Sequence, residues 1–192
     1  MSQARVILLV SLFTFSLALP TGHLAAAAQS AQAPPPVDMK KNMKTVLVLS
    51  PEFCETKKVG EGRTFDVGYE SCDLLKIALK NVFLDLAPAE TAPPPGTAGL
   101  VLTPRFVEIS FLLPNFSIKR ELVLIVEWTA KDDSGRTVWL QTVQGSAKNR
   151  IGGSNSGELR NVKLLAQAAA QDLANKSVGE MAASPELQKF SR

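Results

Sequence analysis

Residues 101–143, which decide the fold, read VLTPRFVEISFLLPNFSIKRELVLIVEWTAKDDSGRTVWLQTV. Apolar side chains recur at every second position over much of this stretch, the spacing that places them on one face of a β-strand. Two turn signals, Pro114-Asn115 and residues 131–135, divide the stretch into three strands. The sequence therefore predicts a three-stranded antiparallel meander.

Apolar residues at alternate positions predict each of the three strands. The first carries Val101, Val107, Ile109, Phe111 and Leu113, interrupted by Thr103 and Arg105; the second carries Ile118, Leu122, Leu124, Val126 and Trp128 around Arg120; the third carries Val138, Trp139, Leu140 and Val143.

The elements on either side of the meander complete the predicted fold. Residues 43–49 form a β-rich apolar run, and residues 74–86 carry apolar side chains at helical spacing, with Ser71 as N-cap and Pro88 as the stop. A second apolar helical stripe covers residues 159–174. We predict a two-layer α+β domain with a four-stranded mixed sheet, in the order strand, helix, meander, helix, and with both helices packed on one face.

The N-terminus has the layout of a secretory signal peptide. Arg5 is followed by an apolar run over residues 6–19, a breaker at residues 20–22 and small residues up to Ala28. The run is shorter than the ~20 residues that a membrane-spanning helix needs. We expect cleavage after Ala28 and no permanent membrane span; retention as an N-terminal anchor is the alternative. No cysteine stands near this site to accept a lipid.

These signals divide the chain into three parts: a signal peptide at residues 1–28, a proline-rich linker at 29–42 and a single domain at 43–192. We therefore expect an exported protein, periplasmic or secreted. The formal net charge of +3 is far below the basic excess of nucleic-acid-binding domains, so no nucleic-acid partner is expected.

The composition limits the chemistry of the mature protein. The one histidine, His23, lies in the predicted signal peptide, so Ser-His-Asp, Cys-His and His-containing zinc sites are excluded after cleavage. No phosphate-binding or calcium-binding loop motif is present. The adjacent Asp132 and Asp133 lie in a predicted turn, where Asp caps its own backbone. We predict no catalytic residue, no metal site and no cofactor.

Cys54 and Cys72 are the two cysteines of the chain. An even number of cysteines in an exported protein favours pairing. The sequence therefore predicts a disulfide that ties the segment after the first strand to the first helix; two buried thiols are the alternative.

A glycine-rich junction precedes the last helix at residues 152–157. Free backbone N–H groups at such a junction can bind an anion. The candidate contacts are Arg150, Gly152, Gly153 and Arg160. The alternative is a plain connector in which Asn155 or Ser156 caps the helix.

The turn between the first two meander strands is unusually apolar. Turns are normally polar, and an exposed apolar patch marks a contact for a partner or a lipid. The candidate contact residues are Phe111, Leu112, Leu113, Phe116, Lys119 and Arg120. The alternative is that the tip folds under a helix and belongs to the core.

Several short motifs are similar to those of small bacterial envelope proteins. They are Phe65-Asp66-Val67-Gly68, the helical run 74–83, Leu102-Thr103-Pro104, the strand ending at Trp128, residues 133–139 and a closing alanine-rich helix. Over about residues 43–190 the chain resembles YajG-type lipoproteins and the lipopolysaccharide-assembly lipoprotein LptE. The resemblance implies a non-catalytic accessory protein that contacts envelope partners or lipids; the lipid-accepting cysteine of those lipoproteins is missing here.

We therefore expect an exported interaction module whose meander binds an envelope protein or lipid. Two alternatives stay open. A small hydrolase would need two converging carboxylates in a pocket, and a carrier of an apolar ligand would need a closed apolar cavity.

Overall fold

The structure, a computed structural model, describes residues 43–60, 63–112, 119–150 and 155–191. For Lys119, Arg150, residues 155–159 and Ser191 it describes the backbone alone. The signal peptide and the linker predicted at residues 1–42 lie outside the described residues.

The described chain contains seven strands, four α-helices and a final 3₁₀ turn. In chain order they are β1 (Thr45–Val48), α1 (Pro51–Cys54), β2 (Lys58–Gly60), β3 (Arg63–Phe65), α2 (Val67–Leu79), β4 (Leu86–Ala89), β5 (Leu100–Leu112), β6 (Lys119–Asp132), β7 (Thr137–Arg150), α3 (Asn155–Ala183), α4 (Pro185–Gln188) and the 3₁₀ turn Lys189–Ser191.

Five of the strands form one mixed sheet, in the order β4-β1-β5-β6-β7. The strand β1 pairs in parallel with β4 and with β5, and β5, β6 and β7 form the antiparallel meander. The predicted α+β class and mixed sheet are confirmed, whereas the predicted count of four strands is wrong. A separate hairpin pairs β2 with β3, in a stretch where the sequence predicted no element.

The strand of the mixed sheet that the sequence did not predict, β4, contains Pro88. The sequence pattern predicts this proline as the end of a helix. The helix ends earlier, at Leu79. Thr45 N donates to Asp85 O, and Leu49 N donates to Ala89 O, so the odd-numbered residues of this segment face β1. The nitrogen of Pro88, which carries no hydrogen, therefore faces away from β1. An edge strand tolerates proline in that position.

Helix α2 begins at Val67, one turn before the predicted N-cap Ser71, which is buried within the helix. The cause is a close contact with α1. A Cβ at Gly68 would lie 2.6 Å from the carbonyl oxygen of Cys54, so only glycine lets the two segments approach this closely. This long-range contact overrides the local capping signal.

A β-bulge divides strand β5. The register with β6 shifts between Phe106 and Glu108, so Val107 has no partner and its side chain is exposed. Before the bulge the core face carries Leu102 and Phe106, and after it the core face carries Ile109. The predicted face was correct beyond the bulge and wrong before it, where Val101 packs on the opposite side.

The main core lies between one face of the sheet and the helices α2 and α3. Its fully buried members include Leu47, Leu102, Leu124 and Trp128 from the sheet and Leu75, Leu79, Leu165 and Leu173 from the helices. The indole Nε1–H of Trp128 donates to Ser177 Oγ of α3 at 3.0 Å, which satisfies two buried polar groups. Both helices contribute to this one core.

Helix α3 lies very close to the edge strand β7 at Gly145. A Cβ at Gly145 would lie 2.5 Å from the Cβ and the backbone nitrogen of Leu173, so the missing side chain permits this approach. One residue further along, the backbone N–H of Ser146 donates to Asp172 Oδ2 at 2.8 Å. The helix is thus held against the outermost strand of the sheet.

The predicted disulfide is confirmed, and the alternative of two buried thiols is wrong. Cys54 of α1 and Cys72 of α2 are bonded, with their Cα atoms 5.6 Å apart. The bond joins the two helices whose backbones meet at Gly68.

Replacing both cysteines by serine should lower the free energy of unfolding by about 3 kcal/mol, because the bond closes a loop of about 19 residues in the unfolded chain. Urea unfolding of the C54S/C72S variant measures this loss. A loss below about 1 kcal/mol would show that the bond restrains the unfolded chain little.

The substitution Gly145→Ala should destabilise the protein by about 1–3 kcal/mol, because the new Cβ forces α3 away from β7. The matched control is Gly179→Ala in α3, where a Cβ meets nothing within 4 Å. The control should raise stability by about 0.5–1 kcal/mol, since glycine weakens a helix interior. Unfolding free energies that change alike in both variants would contradict this packing.

Candidate functional site

The described members of the predicted contact set, Phe111, Leu112, Lys119 and Arg120, lie at the end of the meander remote from the Asp132 turn. Leu112 pairs with Glu121, and Glu121 pairs in turn with Lys148. The side chain of Leu112 is 45% exposed, whereas Phe111 is half-buried. Leu113 and Phe116 lie outside the described residues.

Phe111 is covered by the β2–β3 hairpin. Its ring centroid lies 4.9 Å from that of Phe65, and a Cβ at Gly60 would lie 2.7 Å from its Cδ1 atom. Phe111 therefore contributes to the core at this end, and Leu112 is the exposed member of the pair. Val59, next to Gly60 in the hairpin, is 68% exposed. The sequence does not predict the strand that contains Val59, because β2 is three residues long and its surroundings are polar.

The cationic residues at this end come together through the register of β6 and β7. Lys119 pairs with Arg150, Arg120 with Asn149, and Glu121 with Lys148. Glu121 is the one acidic residue in these three pairs, and its Oε2 atom lies 3.2 Å from Lys148 Nζ. The end of the meander therefore combines a net positive charge with the exposed apolar side chain of Leu112.

The predicted anion site lies mostly beyond the described residues. Gly152 and Gly153 are outside them, and Arg150 is described in its backbone only, as the last residue of β7. Arg160 is exposed on α3. The anion site therefore stays a prediction.

The turn at Asp132 is a closed hydrogen-bond cluster. Asp132 Oδ1 accepts from Ser134 N and Arg136 N, both at 3.0 Å, and from Ser134 Oγ at 2.6 Å. The guanidinium of Arg136 donates to Asp132 Oδ2 at 3.1 and 3.2 Å. The Ser134 hydroxyl bond, followed by the contacts with Arg136, lowers the pKa of Asp132. The predicted capping role of this aspartate is confirmed.

The carboxylates of the described clefts lie beside lysine side chains. An open cleft of about 420 Å³ contains Glu55 and Asp66, and Lys57 Nζ lies 3.5 Å from Asp66 Oδ1. A second cleft of about 410 Å³ contains Glu55 and Glu90 with Lys76. Asp132, in the turn described above, does not suit the role of a catalytic acid in a hydrolase. Hydrogen bonds lower its pKa, whereas that role needs a raised pKa.

Residues 43–60, 63–112, 119–150 and 155–191 hold neither a candidate metal site nor a candidate membrane span. No group of three or more His, Cys, Asp or Glu side chains there could hold a metal ion. No helix there is long and apolar enough to cross a membrane.

No family model and no curated protein matches the chain. Similar solved structures include the minor lipoprotein from Acinetobacter baumannii, with 17% identity and a TM-score of 0.47 over 73% of this chain and 91% of that one. Uncharacterized lipoprotein B from Nitrosomonas europaea has 10% identity and a TM-score of 0.47 over 79% of this chain and 90% of that one. Lipoprotein GNA1162 from Neisseria meningitidis has 15% identity and a TM-score of 0.37, covering 73% and 99% of the two chains.

These neighbours are bacterial lipoproteins, the general class to which the sequence is similar, and they do not point to YajG-type proteins or to LptE. Their identities and TM-scores are too low to transfer a function to this chain.

The charge of Asp132 should stabilise the protein at neutral pH. Because the pKa of Asp132 is lower in the folded protein than in the unfolded chain, the folded protein binds fewer protons at this carboxyl, and the stabilisation is lost as the pH falls through the folded pKa. The variant Asp132→Asn should therefore be less stable than the original at about pH 7, and the difference should shrink as the pH falls below the range in which a free aspartate titrates.

Urea midpoints measured across this pH range test the prediction, with Asp133→Asn at the exposed neighbouring position as the control. A gap between the Asp132→Asn variant and the original protein that stays constant down to low pH would contradict it.

Proposed function

We propose that this protein is an exported, non-catalytic accessory protein of the cell envelope that binds anionic lipid through the end of its meander. The observation that carries the proposal is the strand register, which places Lys119, Arg150 and Lys148 on the same sheet face as the exposed Leu112. An apolar side chain next to clustered cations suits the boundary between acyl chains and phosphate headgroups.

The energetics favour an anionic surface over a neutral one. Each Lys or Arg near an anionic membrane contributes about 1 kcal/mol, and the attraction weakens as salt screens it. Exposed Leu112 would add apolar burial at the same end. Charge and apolar contact together account for a surface that binds reversibly without a membrane-spanning helix.

Export is supported by two independent features. The N-terminal sequence has the layout of a signal peptide. The Cys54–Cys72 disulfide fits a compartment where such bonds persist. The protein would therefore meet its lipid outside the cytoplasm.

Vesicle co-sedimentation tests the proposal. The protein should bind phosphatidylcholine vesicles that contain phosphatidylglycerol more tightly than pure phosphatidylcholine vesicles, and added salt should weaken the binding. The variant Lys119→Glu should bind the anionic vesicles about tenfold more weakly, because charge reversal replaces attraction with repulsion.

Lys131→Glu is the matched control, since Lys131 is an exposed cation at the opposite end of β6. It should leave vesicle binding nearly unchanged. Equal binding to both vesicle types, or equal losses in the two variants, would contradict lipid binding at this end and favour a protein partner.

A further inference from the structure

The two edges of the five-stranded sheet differ. One edge is β4, a strand of four residues that contains Pro88. The other is β7, which extends over fourteen residues without proline. Short strands and proline discourage the pairing of an edge with another chain. Strand β4 is short and contains proline, whereas β7 is long and contains none.

The direction of the β7 backbone groups follows from one hydrogen bond. The N–H of Ser146 points away from β6, because it donates to Asp172 Oδ2 of α3. Backbone groups alternate in direction along a strand. The register with β6 is regular through this region, so the N–H and C=O groups of Leu140, Thr142 and Gln144 also point outward.

These outward groups form an open row in the described part of the chain. Ser146 has its acceptor in Asp172, but no hydrogen bond is present at the N–H groups of Leu140, Thr142 and Gln144. Their side chains are exposed on the sheet face opposite α3, with Leu140 59% exposed. Residues 137–147 contain no charged side chain that would repel an added strand.

The position of α3 decides what can occupy this edge. A strand added to a sheet lies about 4.8 Å from its neighbour. If a second copy of this chain paired its own β7 here, two α3 helices packed over adjacent strands would be forced closer than the 8–10 Å that packed helices require. This crowding disfavours a second copy and favours an extended strand that carries no helix.

We propose that the open edge of β7 binds an extended peptide segment of a partner protein, which adds to the sheet as a sixth strand. Main-chain hydrogen bonds to Leu140, Thr142 and Gln144 supply the affinity. The segment is uncharged, because residues 137–147 contain no charged side chain and the nearest described cation of β7, Lys148, is paired with Glu121. Its alternate side chains are apolar or β-branched, to pack beside the exposed Leu140. This site does not depend on the proposed lipid binding.

A random-peptide display library selected against the purified protein provides the probe. Selection should enrich uncharged peptides with β-branched or apolar residues at alternate positions. The variant Thr142→Pro should weaken the binding of the selected peptides about tenfold or more, because it removes one outward N–H and blocks strand addition. Since that N–H does not face β6, the fold should persist, which circular dichroism and the melting temperature check.

Thr142→Val is the matched control, because it keeps the backbone N–H and the branched shape and should bind the selected peptides normally. Methylating alternate peptide amides should abolish binding at one parity and leave it intact at the other. The proposal is overturned if no peptide is enriched, if Thr142→Pro binds as Thr142→Val does, or if the protein sediments as a dimer that Thr142→Pro dissociates.

Discussion

The close contact between α3 and β7 is the constraint on which the rest of the structure depends. Gly145 has no side chain, so the backbone of the helix can approach the edge strand at Leu173. This approach brings Ser177 within reach of the buried indole of Trp128 and places Asp172 beside the N–H of Ser146. The same contact covers one face of β7 with a helix while leaving part of its outer edge open.

The two ends of the meander carry different chemistry. At one end Asp132 uses its own turn and Arg136 to satisfy both carboxylate oxygens, which leaves a closed, self-sufficient cluster. At the other end the register gathers cations beside Leu112, an exposed apolar side chain. The end at Asp132 stabilises the fold, and the end at Leu112 is suited to bind the anionic lipid proposed above.

Sequence reasoning predicted what local patterns determine: the meander, the Asp132 turn, and the long last helix. It failed where distant contacts decide. The contact at Gly68 moves the start of α2, the bulge at Val107 reverses the faces of β5, and pairing with β1 makes a strand of the segment around Pro88. For the same reason the burial of Phe111 and the open edge of β7 could not be predicted, because both depend on which elements become neighbours.

Amide hydrogen exchange along β7, followed by nuclear magnetic resonance, tests the account most directly. The account predicts an alternating pattern: slow exchange at Gln141 and Val143, which face β6, and fast exchange at Thr142 and Gln144. Ser146 should exchange slowly although it points outward, because Asp172 accepts its N–H. Uniform protection along the strand, or fast exchange at Ser146, would contradict both the packing of α3 and the open edge.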